Sequence, residues 1–208
     1  AFLSCRPKKV MLDSGGNIDC KPYHLLNFAI IGSVYAQKVL NIPNPTVALL
    51  SVGAEKGKGN ELIKESYPLF QKSELNFIGN VEGNDIVSGG ANVVVCDGFV
   101  GNILIKFCES LGTTIAEWLK TSLHGKLPDI EINSISDDLL ALTNTADMFG
   151  GGPLLGVNGV AMVMHGRSQA VQFTRIMGQA KAIVQSDLVD TLNSELKRIR
   201  GQVNNGGN

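Results

Sequence analysis

Short apolar runs recur along the chain at Val10 to Asp13, Thr46 to Gly53, Leu75 to Val81, Ala91 to Asp97 and Gly159 to Gly166. They are rich in Val, Ile and Leu and end in Gly or polar residues, the pattern of strands buried in a parallel sheet. Helical periodicity fills the intervals. Tyr23 to Leu40 carries apolar residues at Leu26, Ala29, Ile30, Val34 and Val39, and the Asn-Ile-Pro-Asn-Pro stretch after it removes donors and ends the helix. Asn60 to Gln71 predicts a shorter crossover. Strand, crossover helix and parallel strand make the right-handed βαβ unit, so the fold class expected is α/β, a mostly parallel sheet flanked by helices.

The middle of the chain has a different rhythm. Leu104, Phe107, Cys108, Leu111, Ile115, Leu119 and Leu123 recur every three or four residues and predict a long amphipathic helix from Ile103 to Leu123. A loop from Gly125 to Ile135 then leads to Ser136, read as the N-cap of a second helix through Asp137, Asp138, Leu139 and Leu142. Residues 103–148 thus predict a helical hairpin projecting from the sheet. Ser168 and Ser186 read as N-caps of two closing helices, and Gln202 to Asn208 as a polar tail. No repeat or linker divides the 208 residues, which are taken as a single α/β domain.

Composition narrows the function classes. Apolar residues make up 44% of the chain and charged residues 18%, a globular balance, and the formal net charge of -1 gives no overall attraction to nucleic acid. Cys5, Cys20, Cys96 and Cys108 have neither the CxxC spacing of a metal or redox site nor the density of a disulfide scaffold, so reduced thiols are expected. No apolar run reaches the ~18 residues of a spanning helix, and the start AFLSCRPKK has a charge order opposite to a signal peptide's. The expected location is cytoplasmic, with contact at a membrane surface left open.

The chemistry gathers where strands end. In VVVCDGFVGNILIK a strand delivers Asp97 at its carboxyl end and a helix begins near Gly101 or Asn102. Gly98 and Gly101 let the backbone approach an anion, the first N–H groups of the helix favour one, and Lys106 follows Asn102 by one turn. The same residues also fit a plain glycine turn with an Asn N-cap and a solvated lysine. MLDSGGNIDCKP places Asp13, Gly15, Gly16, Asn17, Asp19 and Lys21 after the first strand, and LLSVGAEKGKGNEL places Glu55, Lys56, Lys58 and Asn60 after the second. GNVEGNDI adds Asn80, and MVMHGRS adds His165, Gly166, Arg167 and Ser168. Each loop alone fits an ordinary solvated turn, but a parallel sheet brings such ends to one edge.

MLDSGGNIDCKP, HLLNFAIIGSVYA, KGNEL, LNFIGNVEGNDI, VVVCDGFVGNILIK, FGGGPLLGVNG and MHGRS, in this order from Val10 to about Ala182, resemble the bacterial phosphate acyltransferase family of phospholipid synthesis. DGFVGN with its downstream lysine is also similar to the matching segment of phosphotransacetylases. The resemblance implies an isocitrate/isopropylmalate dehydrogenase-like fold and transfer of a fatty acyl group from acyl carrier protein to inorganic phosphate, giving acyl phosphate. It implies no cofactor and no metal, a homodimer, and peripheral membrane contact through residues 118–132, although a buried dimer or core helix pair explains the same apolar stripe. On this reading Lys106, Asp97, His165 and Asn17 are the catalytic candidates. Gly98, Gly101, Asn102, Lys58, Asn60, Asn80, Gly166 and Ser168 are the candidates for binding phosphate. Family members open with an Asp-Ala-Met-Gly-Gly-Asp-like loop that is not found here, so the expectation is a chain that begins where the family's middle would, with its own activity in question. A covalent acyl-cysteine route is the weaker reading, since Cys96 falls in a strand and Cys108 in a helix. A nucleotide-linked oxidoreductase is disfavoured because GxGxxG is absent.

Overall fold

In the computed structural model, which describes residues 2–5, 8–143, 150–164, 166 and 168–205, five strands form one sheet. They are β1 (Phe2–Cys5), β2 (Lys8–Leu12), β3 (Val47–Leu50), β4 (Phe77–Val81) and β5 (Val93–Val95). Their spatial order is β1-β2-β5-β3-β4. The last four run parallel, and β1 pairs antiparallel with β2 at the edge. The connecting helices are α1 (Pro22–Lys38), α2 (Glu61–Lys72) and α3 (Gly83–Ser88), and α4 (Gly98–Leu123) follows β5 directly. Because Val10, Val47, Leu49, Val93 and Val95 pack with α1 and α2 while Met11, Ala48, Leu50, Val94 and Cys96 pack with α3 and α4, both faces of the sheet are covered. That double burial explains the unbroken apolar runs of the strands.

Past α4 the chain forms α5 (Asp129–Thr143), a two-stranded ribbon of β6 (Gly151–Leu154) and β7 (Ala161–Met164), then α6 (Ala170–Gln185) and α7 (Leu188–Asn205). Ile183, Leu188, Leu192 and Ile199 join the core on the α1 face. Among the buried polar side chains Lys9 carries a charge: it is fully buried, and its ammonium donates to the carbonyl oxygens of Asp85 at 2.9 Å and Ile86 at 2.7 Å. Burial lowers its pKa, against a smaller opposing effect of the Asp85 carboxylate.

Several expectations are corrected. The run Gly159 to Gly166 does not enter the main sheet; its central residues form β7, which pairs antiparallel with β6. Only residues 155–160 separate the two strands, far fewer than the dozen or more that a parallel crossover requires. The long helix starts at Gly98 rather than Ile103, and Asp97, not Asn102, caps it by accepting the Val100 N–H. Residues 129–135 are helical, not loop. The Pro128 carbonyl accepts the N–H groups of Glu131 and Ile132, and Asp129 and Glu131 favour the first turn, so Ser136 sits inside α5 and donates back to Ile132. The caps of the closing helices also shift by a residue: Gln169 caps α6, Ser168 donates to the Gly150 carbonyl, and Ser186 stands at the C-terminal end of α6. Residues 202–205, expected in a tail, continue α7.

The α4–α5 pair packs differently from the expected apolar seam. Gly112 and Ala116 are the buried residues in the middle of α4, and Gly112 lies directly against Thr143. Small residues let the two helices approach closely, which leaves Phe107 and Leu111 of the expected inner stripe exposed. The hairpin expectation extends to Met148, and residues 144–148 lie outside those described.

Candidate functional site

The helices after β2 and β3 lie on one face of the sheet, and the helix after β5, the strand between them, lies on the other. Adjacent strands whose helices leave in opposite directions open a crevice at their carboxyl ends, the place where open α/β sheets bind ligands. Strand β5 therefore borders two such crevices, one shared with β2 and one with β3.

The β2/β5 crevice is built around Asp13. Its carboxylate accepts the backbone N–H groups of Ser14, Gly15 (3.1 Å), Gly16 (3.0 Å) and Asn17 (2.7 Å), and the Asn17 side-chain amide at 2.9 Å. Partial burial pushes the Asp13 pKa up, but these donors outweigh it and hold the group below the ordinary carboxylate value. The loop so formed locks onto α4: the Gly98 N–H donates to Asn17 O at 2.8 Å, and Gly101 rests against the Asp13 carbonyl. Only glycine fits at either position, because a Cβ at Gly98 would stand 2.8 Å from Asn17 O and one at Gly101 would overlap Asp13.

This arrangement changes the expected chemistry of the helix start. Of the N–H groups opening α4, Gly98 serves Asn17, Val100 serves the Asp97 carboxylate at 2.9 Å, and Phe99 alone has no hydrogen-bond partner among the described residues. The carboxylate of Asp97 already supplies negative charge there. Lys106 lies two turns along and pairs with Glu109 at 2.8 Å. Asn102 is exposed and borders the Asp13 loop, its Oδ1 being 3.5 Å from where a Gly15 Cβ would lie.

Next to the β5/β3 crevice, the loop after β3 crosses to α2. Asn60 caps α2 by accepting the Ile63 N–H at 3.0 Å, and the Lys58 N–H closes a turn onto Glu55 O at 3.1 Å. Lys58 is exposed, and its ammonium has no ion pair among the described residues. Lys56 sits over the Tyr67 ring at 5.7 Å. Beneath the loop lie Asn80, only 7% exposed, and the buried hydroxyl of Ser51.

The candidates therefore fall into three places. Asn17, Asp97, Gly98, Gly101 and Asn102 meet in the first crevice, whereas Lys58 and Asn60 lie in the loop after β3 and Asn80 lies under that loop in β4, on the side of β3 away from β5. Gly166 and Ser168 follow β7 in the separate ribbon, and His165 and Arg167 lie outside the described residues. The organising role of Asp13 escaped sequence reasoning, although an aspartate followed by Ser-Gly-Gly-Asn is the signal for a carboxylate that collects successive backbone N–H groups. Cys96 is an unfavourable nucleophile: burial first, then the neighbouring Asp97 and Asp13 carboxylates, push its pKa up to about 12.

Topology and site define an α/β protein with loop-built crevices at the switch points of a mostly parallel sheet. Residues 3–191 match the family described as fatty acid synthesis protein, and the chain belongs to that family. It is 45% identical to a phosphate acyltransferase of Desulforamulus reducens, 44% to one of Thermoanaerobacterium thermosaccharolyticum and 42% to one of Aquifex aeolicus. These matches cover 91–92% of this chain and 58% of each relative, so the chain spans little more than half the length of the curated relatives it matches.

Proposed function

We propose that this chain carries the phosphate-handling part of an acyltransferase that moves a fatty acyl group from acyl carrier protein to inorganic phosphate. The similarity to phosphate acyltransferases across 92% of the chain is the observation that carries this reading. A phosphate oxygen attacks the thioester carbonyl, the C–O bond forms, and the C–S bond breaks as the tetrahedral intermediate collapses. The carrier thiolate leaves and takes up a proton, and acyl phosphate results. Catalysis of that step asks for a cation near the phosphate and donors near the developing oxyanion.

Lys58, exposed and without an ion pair among the described residues, is the first choice to hold the phosphate, with the opening N–H groups of α2 beside it. We assign Asn102 and the Phe99 N–H as further donors on the β5 side. Lys106 serves the same anion if it leaves Glu109, Asp97 and Asn17 hold the crevice, and His165 remains a donor candidate on family resemblance alone. Dehydrogenase-like architecture belongs to the same reading.

Phosphate-dependent formation of acyl phosphate, trapped as the hydroxamate, tests the proposal with this chain and with a chimera extended to the length of the relatives. Lys58→Ala is expected to raise the phosphate KM at least tenfold. Product that forms without phosphate, or an unchanged KM in Lys58→Ala, would refute the assignment.

A second part of the reading concerns assembly. Phe99, Ile103, Phe107 and Leu111 make an exposed apolar stripe along α4, and Trp118, Leu127 and Ile130 continue it toward the tip of the hairpin. We assign the stripe to a second copy of the chain and the tip, residues 118–132, to a membrane surface. Among the described residues no helix is long and apolar enough to cross a membrane. Sedimentation tests the dimer, and liposome flotation of the Leu127→Asp/Ile130→Asp variant tests the tip. A monomer, or flotation equal to the parent's, would overturn the respective part.

A further inference from the structure

Asn80 occupies a place in β4 that packing alone would give to an apolar residue. It pairs in register with Leu49 of β3 and is 7% exposed. Its Nδ2 donates to the Glu55 carbonyl oxygen at 3.2 Å, and its Oδ1 has no hydrogen-bond partner among the described residues. An unsatisfied buried acceptor costs stability, so the amide needs another reason to be there. The carbonyl it binds supplies one, because Glu55 O is also the acceptor of the Lys58 N–H, at 3.1 Å. Two donors from different elements thus converge on one oxygen and tie the Glu55–Lys58 turn to the sheet beneath it. Elsewhere residues 54–58 are exposed, and Gly57 and Gly59 on either side of Lys58 have φ of +95° and +105°. Glycines at such angles leave the loop conformationally permissive, so a tether is needed to give Lys58 one position.

We propose that Asn80 is the positioning residue for Lys58, holding through Glu55 O the turn from which Lys58 meets the substrate phosphate. Burial keeps Asn80 from touching that phosphate itself, which replaces its expected role in binding. The inference rests on the reading that Lys58 contacts phosphate.

Two measurements on the same protein separate the two ideas. Amide hydrogen exchange compares the parent with Asn80→Leu, which removes both polar atoms, and with Asn80→Asp, which is isosteric but turns an acceptor toward Glu55 O and serves if the first variant does not fold. The Lys58 amide is expected to exchange at least tenfold faster in the variants, while the Ser51 amide, bonded to Val81 O in the strand ladder, keeps its protection. Titration with inorganic phosphate at constant ionic strength should then show about tenfold weaker binding in Asn80→Leu, without loss of thermal stability. Unchanged Lys58 protection, or full phosphate affinity in Asn80→Leu when Lys58→Ala has lost it, would overturn the positioning role. If Lys58→Ala binds phosphate as the parent does, the functional reading of Lys58 fails instead.

Discussion

Substituting Gly101 by alanine tests whether the loop after β2 and the start of α4 form one rigid unit. The added Cβ would overlap the Asp13 carbonyl oxygen and stand 3.0 Å from the Asp13 carbonyl carbon and 3.2 Å from Cys96 Sγ. The obstacle is backbone, and that backbone is held from two directions. The Asp13 N–H donates to Cys96 O at 2.9 Å, and the Asp13 side chain anchors the loop in front of it. Overpacking of this kind costs about 1–3 kcal/mol, and displacing Asp13 sacrifices a backbone hydrogen bond of about 1 kcal/mol. Alanine's better helix propensity returns up to about 1 kcal/mol. A net loss of about 1–3 kcal/mol follows, which lowers Tm by about 2–12 °C in a chain of this size. Gly83→Ala is the control, since nothing lies within 4 Å of its added Cβ at the first position of α3, and it should stay within about 0.5 kcal/mol of the parent. Urea unfolding of the three proteins gives the comparison. If Gly101→Ala is as stable as Gly83→Ala, the contact between the Asp13 loop and α4 is not the constraint described here.

Other substitutions test the remaining interactions. The folded-state pKa of Asp13 lies below its unfolded value, so its stabilisation is complete above the ordinary carboxylate value and is lost as pH falls through the folded one. Asn in its place should cost about 2 kcal/mol at neutral pH, by urea unfolding, and the gap to the parent should close in acid; a pH-independent gap would contradict the carboxylate's role. In native protein Cys96 should resist iodoacetamide at pH 8 and react only after unfolding, as read by peptide mass mapping, because its thiolate is scarce and the residue is 2% exposed. Lys9→Ala should destabilise by about 3 kcal/mol in urea unfolding, as it leaves a cavity and deprives two carbonyls of their donor, whereas an effect below about 1 kcal/mol would mean the ammonium is dispensable.

The parts of the fold visible in the sequence were those governed by local rules. Val93 to Val95 and Val47 to Leu50 sit between helices on both faces, so their apolar runs carried the strand signal directly. The helical pattern from Asn60 to Gln71 marked α2, and the structure adds that Asn60 caps it. Pairing partners were less visible: a run such as Ala161 to Met164 looks the same in a parallel sheet and in a ribbon, and only the short connection to β6 separates them. At the candidate site the glycines and polar residues were legible, but the direction of their hydrogen bonds was not. Asp97 could be read as facing a ligand or facing its own helix, and the structure gives it to Val100. Lys106 could reach forward or backward by one turn, and it pairs with Glu109.

The contact between Asp13 and Gly101 joins segments 88 residues apart, and the turn under Lys58 depends on Asn80, a residue of a different strand. Neither crevice can exist in a local fragment of the chain or in its unfolded ensemble. A ligand seated there would bind the native state alone, and by mass action would stabilise it by about 2.7 kcal/mol at a concentration one hundred times its Kd. Thermal midpoints followed against phosphate concentration would therefore report occupancy of the crevices without any catalytic turnover.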